Sequence, residues 1–200
     1  MGDHLNRTSE RYTVIAVLLH WIIAILILGQ IAGGALMVNL GDNALSLKFQ
    51  IYQWHKSFGI TILVLSLIRL MWRLTHRPPA LPDGMSSVER IGARFSHIGF
   101  YVLMVTIPLI GWATVSASPY AASVPTYLFG VIPWPHLPFF EGVVDREFVA
   151  GRIAEIHKIL AFLTLGLFIL HVGAALKHHF VNKDGVLARM LPFIDRGRSQ

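Results

Sequence analysis

No Asp, Glu, Lys or Arg occurs between Arg11 and Asp42, so positions 12–41 form one uninterrupted uncharged run. About 20 apolar residues suffice to cross a ~30 Å hydrocarbon core. The run therefore predicts a transmembrane helix, placed at about 12–38. A secretory signal is the competing reading, but its apolar region spans only about 7–15 residues, and this stretch is too long for it. Composition points the same way. Of 200 residues, 14% are charged and 54% hydrophobic, against roughly 25% charged in an ordinary soluble domain. Disorder is excluded on the same ground.

Three further spans are predicted at about 49–72, 95–116 and 152–179. Lys56, Arg69 and Arg73 lie near the ends of the second, where long basic side chains snorkel to the interface. Pro108 is expected to kink the third, which membrane helices tolerate. The connector 75–87 holds Pro78, Pro79, Pro82 and Gly84, which is loop chemistry. The longest connector, 118–151, holds five prolines together with Trp134, Phe139 and Phe140. It is expected to cap the bundle partly within the interface. The fold class expected is all-α: a single four-helix membrane domain over 1–200. Tyr12, Trp21, Trp54, Trp72, Trp112 and Trp134 read mostly as interfacial belt residues.

The net charge of +6 would suggest nucleic acid in a soluble chain. Here it resolves into topology. Arg7, Arg11, Arg69, Arg73, Arg77, Arg90, Arg94, Lys177, Lys183, Arg189, Arg196 and Arg198 fall on one side of the four spans. Lys48, Lys56, Arg146, Arg152 and Lys158 fall on the other. The positive-inside rule then puts both termini in the cytoplasm, and no nucleic-acid partner is expected.

There is no cysteine. Disulfides, thiolate metal sites and covalently attached haem are therefore excluded. The ten histidines carry the chemistry. Four lie inside spans, where an ionisable residue marks a functional site by default. His20 and His171 each sit eight residues in from the same side, roughly 12 Å deep at ~1.5 Å per residue. His55 and His157 sit six and five residues in from the opposite side. The four form two level pairs, one in each leaflet. On helix four the two histidines are about 21 Å apart along the axis and only about 40° apart in rotation, so both face the bundle.

Two imidazoles from different helices at one depth suit the two axial positions of a haem iron. The ring also needs room beside each ligand. The residues at i+4 are Ala24, Gly59, Ala161 and Ala175, all small. For His97, near the start of helix three, that residue is Tyr101, which makes His97 a poorer ligand. Other readings stay open. Intramembrane histidines also serve as hydrogen-bonded packing residues, and Gly29-x-x-x-Gly33 fits plain helix packing. A haem-free metal transporter would use histidines too, with carboxylates beside them. Glu155 stands alone near one end of helix four.

The chain resembles the bacterial cytochrome b561 family of di-haem, four-helix inner-membrane proteins. The resembling segments are Arg11-Tyr12 with His20-Trp21, and Trp54-His55-Lys56-Ser57-Phe58-Gly59. To these add Arg69-Leu70-Met71-Trp72-Arg73 with Pro78-Pro79, and Ser96-His97. His157-Lys158, His171 and Ala175-Leu176-Lys177-His178-His179-Phe180 complete the set. The resemblance implies two b-type haems. His20 and His171 would hold the iron on the cytoplasmic side, and His55 and His157 the iron on the periplasmic side. It also implies electron transfer between a periplasmic redox partner and the membrane quinone pool. One branch is similar to superoxide oxidase, a superoxide:quinone oxidoreductase that reduces ubiquinone. Other branches are haem-bearing membrane anchors of larger dehydrogenase or hydrogenase complexes. Lys56, Arg152 and Lys158 are candidate contacts for propionates or an incoming anion near the periplasmic haem. His97, Arg94 and Arg69 are candidates for propionates or quinone on the cytoplasmic side. No catalytic residue follows from the sequence.

Overall fold

The computed structural model describes residues 11–82, 84–124 and 126–191. Arg7, Arg196 and Arg198, counted above for topology, lie outside them. Four long helices carry the architecture: α1 (Val14–Asn39), α2 (Leu45–Thr75), α3 (Ser87–Ala117) and α4 (Arg146–Lys177). All four are long and apolar enough to cross a membrane. Their outer faces are rich in exposed Leu, Ile, Val and Phe, such as Leu170 and Phe162. Such faces are expected where the surrounding solvent is lipid. The most deeply buried side chains are instead small, and three of them are polar: Ser57, Ser66 and Ser116, with Ala117.

Three helices start earlier than their apolar runs. A 3₁₀ turn over Asp42–Ala44 feeds α2 directly. α3 begins at Ser87 because Ser86 and Glu89 form a capping box: the Ser86 hydroxyl accepts from the Glu89 amide, and the Glu89 carboxylate accepts from the Ser86 amide. α4 begins at Arg146 because the Asp145 side chain caps the amide of Phe148 at 3.0 Å. Polar caps, not hydrophobicity, set the starts of α3 and α4, so their charged first turns extend beyond the spans. α3 runs on through Pro108, which is buried. α4 passes into a π-helical turn, His178–Asn182, closed by Lys183 in the left-handed region at φ 54. There His178 pairs with Asp184, and Lys177 reaches Glu89 at 2.6 Å, tying the end of α4 to the start of α3.

The chain is mostly helical rather than all-α. Within the long connector, β1 (Thr126–Leu128) pairs antiparallel with β2 (Ile132–Trp134). The turn places Phe129 at φ 53 and Gly130 at φ 73, and Val131 N–H donates to the Leu128 carbonyl at 3.0 Å. Positive φ at both central residues matches the twist of a hairpin. Gly accepts that geometry freely, whereas Phe129 adopts it at a cost. What holds Phe129 there is α2. Its amide donates to Ser57 Oγ at 2.8 Å, and its ring packs edge-on against Trp54 and Phe58. Two strands of three residues carry too little period-2 pattern to read from sequence; tertiary anchoring supplies what propensity lacks.

Neighbouring helices pack in chain order, α1 on α2, α2 on α3 and α3 on α4. α4 stands further from α1 and from α2. The bundle alternates in direction, so the start of α1, the end of α2, the start of α3 and the end of α4 share one end.

Candidate functional site

The histidines reach across the two wider separations. His20 on α1 and His171 on α4 have ring centroids 6.3 Å apart. His55 on α2 and His157 on α4 have centroids 6.1 Å apart. Two imidazoles bound trans to one metal at about 2.0–2.1 Å place their centroids roughly 6.3 Å apart. Both pairs therefore have the span of one metal between two rings. Among the described residues no group of three or more His, Cys, Asp or Glu is arranged to hold a metal ion. A bare zinc ion asks for about four ligands, whereas haem iron takes its equatorial four from the porphyrin and needs two from protein.

The polar surroundings differ between the pairs. His157 Nδ1 lies 3.2 Å from the Ile107 carbonyl on α3. A carbonyl only accepts, so Nδ1 carries the proton and Nε2 keeps its lone pair, the state required of a metal ligand. His55 Nδ1 is buried and has no hydrogen-bond partner among the described residues. Its backbone carbonyl accepts from Gln30 Nε2 at 2.8 Å, tying α1 to α2 at this level. At the other pair Arg69 is the principal polar neighbour. Its guanidinium donates to the Ala16 carbonyl at 2.8 Å and stands 3.4 Å from His20 Nδ1. The second distance is at the long end of a hydrogen bond, so the firm grip is on the helix backbone one turn before His20.

Glycines shape the rings' surroundings in a way that i+4 spacing missed. A β-carbon at Gly111 would come within 3.1 Å of His157 Cε1, and one at Gly34 within 3.5 Å of His55 Cε1. Both glycines lie on neighbouring helices, not on the ligand's own. Gly59 serves Gln30 instead: a β-carbon there would meet Gln30 Nε2 at 3.3 Å. The Gly29-x-x-x-Gly33 pair does not pack closely, since β-carbons there would meet nothing within 4 Å. The sequence signal for Gly34, next to Gly33, and for Gly111 was only a glycine inside an apolar helix, which has no direction until the helices are assembled.

His97 is closer to the site than its Tyr101 neighbour suggested. Its ring is 6.0 Å from that of His171, and Phe100 packs edge-on against His171 at 5.3 Å. Three histidines thus converge at this level, His171 in the middle. Of the basic candidates, Arg69 is brought to a histidine pair, and Lys56, half-buried beside His55, points to Thr126 Oγ1 at 3.5 Å. Arg94 and Lys158 are exposed. Arg152 is turned to solvent, 65% exposed, and bonds Glu155 at 2.6 Å; one turn of α4 satisfies it locally. Trp112 and Trp21 do more than mark an interface: their indole N–H groups donate to the carbonyls of Pro135 and Met190.

Residues 11–193 match the family model described as prokaryotic cytochrome b561. The chain belongs to this family. Its members bind haem b, so this one is a multi-pass haem protein of the bacterial inner membrane with a role in electron transport. Among curated relatives, cytochrome b561 homolog 2 of Escherichia coli K12 is 33% identical over 93% of this chain and 94% of its own length. A Yersinia pestis protein named probable superoxide oxidase CybB is 29% identical over 92% and 97%. Cytochrome b561 homolog 1 of E. coli K12 is 26% identical over 92% and 98%. The site fits the family's cofactor on its own chemistry. Two ring spacings suit one iron each, one Nδ1 is already committed to a carbonyl, and two glycines make room against the rings.

Proposed function

We propose that this cytochrome carries electrons across the membrane through two b haems, one held by His20 and His171 and the other by His55 and His157. The observation that carries the reading is the pair of 6.3 Å and 6.1 Å ring spacings at two depths of one bundle. Bound there, the haems supply one-electron carriers about 21 Å apart along α4. The chain's own residues do the rest. The Ile107 carbonyl holds His157 in its ligating tautomer, Gln30 fixes the backbone at His55, and the apolar helices exclude water. For His20 to ligate through Nε2 its Nδ1 takes the proton; the long Arg69 contact then gives way, while the Arg69 bond to Ala16 remains. Iron held by two of these imidazoles would offer no position to small molecules, so redox partners would meet the protein at its edges.

Quinone in the bilayer is the acceptor in this reading, and a redox partner on the hairpin side is the donor. A relative named probable superoxide oxidase supports superoxide in that role. Two superoxide anions yield two dioxygen molecules and two electrons; with two protons these convert one quinone to quinol. Lys56 gives the hairpin side a cation close to His55 for an incoming anion. The arginine-rich end then faces the cytoplasm with both termini. The purified protein should show two b haems per chain. Rapid mixing with superoxide should reduce them, and added quinone should reoxidise them. His55→Ala should lose the hairpin-side haem and retain the other; retention of both overturns the pairing. A chain that holds two haems yet neither takes electrons from superoxide nor passes them to quinone would instead be a membrane-anchor subunit of a larger dehydrogenase or hydrogenase complex.

A further inference from the structure

The arginine-rich end holds a cleft of about 50 Å³ among α1, α2 and α3. Arg69, Arg73 and Arg77 recur every fourth residue along α2 and just past its end, and Arg11 joins them from the segment before α1. Among the described residues no Asp or Glu lines the cleft, and α4, which carries His171, contributes nothing to it. Arg69 is occupied with α1, as described. Arg73 lies 5.6 Å from the Tyr101 ring centroid; stacking uses the face of a guanidinium and leaves its N–H edge to donate. Arg77 is roughly 12 Å further toward the interface than Arg69, at ~1.5 Å per residue. The inner part of the cleft therefore belongs to the His20 level, and the outer part lies at headgroup depth.

Several guanidinium groups around one small opening repel one another unless an anion sits between them. Their planar forks match phosphate oxygens bidentately. The helices that frame the cleft also carry exposed apolar side chains away from it, Val14, Met71 and Leu74 at 74%, 63% and 73%. An occupant with a phosphate head and apolar tails satisfies both surfaces, whereas free phosphate satisfies only the first. We propose that Arg11, Arg73 and Arg77 bind the phosphate of an anionic glycerophospholipid, whose acyl chains lie in the bilayer against the apolar helices that frame the cleft. Bound there, the lipid joins the ends of α1, α2 and α3 on the side where His20, His97 and His171 converge.

The test is native mass spectrometry of the full chain with its haems, reconstituted with equal amounts of phosphatidylglycerol and phosphatidylcholine. Phosphatidylglycerol should be retained in preference. The double variant Arg73→Gln, Arg77→Gln should weaken that retention roughly tenfold or more, with haem content unchanged. Arg77→Gln alone, beyond the end of α2, gives a smaller loss without touching the helix. The thermal midpoint of the unaltered protein should rise with phosphatidylglycerol and not with inorganic phosphate. Equal retention of the two lipids, undiminished retention in both variants, or equal stabilisation by inorganic phosphate overturns the assignment. Loss of haem from the folded double variant also overturns it, because the cleft would then serve the cofactor.

Discussion

A β-carbon added at Gly111 would stand 3.1 Å from Cε1 and 3.3 Å from Nδ1 of His157. Contacts this short require the imidazole or the α3 backbone to move, and Nδ1 is the atom that bonds the Ile107 carbonyl. Gly111→Val should therefore turn the ring and release the haem assigned to His55 and His157, taking the count from two per chain toward one. Gly34→Ala, with its nearest approach of 3.5 Å, should retain both. Haem-to-protein ratio and the reduced spectrum measure each outcome.

His20 and His97 both stand about one metal span from His171, at 6.3 Å and 6.0 Å. The small residue one turn after His20 and the tyrosine after His97 favour His20 as the ligand. His20→Ala is expected to lose one haem, and His97→Ala to keep two with at most a shifted potential. A one-haem His97→Ala protein alongside a two-haem His20→Ala protein would reverse the assignment.

Arg69 places a fixed positive charge beside His20 while holding the Ala16 carbonyl. A nearby cation favours the reduced, less positive state of a haem. Arg69→Gln should lower the potential of the haem at His20 and His171 and leave the other unmoved; Arg69→Lys should recover part of the difference. Potentiometric titration followed at both haem bands reads this directly. Equal shifts in both haems would point to a general loosening of the bundle.

Ser57 and Ser116 anchor the hairpin side. Each hydroxyl donates to the carbonyl four residues back and accepts a loop amide, that of Phe129 for Ser57 and that of Leu137 for Ser116. Both are almost completely buried. Replacing either by Ala leaves a part-buried amide without its partner, a cost toward the low end of about 1–3 kcal/mol. Ser57→Ala also frees Phe129 from its left-handed conformation. Lower thermal midpoints and faster proteolysis within 118–145 are expected, with haem stoichiometry preserved.

Four spans and two depths of histidine were legible in the chain alone. Bilayer thickness sets how long an apolar run must be, and a fixed rise and rotation per residue turn sequence position into depth and direction. Helix ends were less legible, because Ser86, Glu89 and Asp145 extend helices through polar caps that apolar runs do not register. Depth already paired His20 with His171; tertiary structure added the 6.3 Å ring spacing and brought His97 to the same histidine. It also decided that Gly34 and Gly111, not the i+4 glycine of the ligand's own helix, press on the imidazoles. Arg152 turned to Glu155 and Arg69 to α1 for the same reason. A charge finds its partner by proximity in space, and long flexible side chains leave that undetermined until the helices are in place.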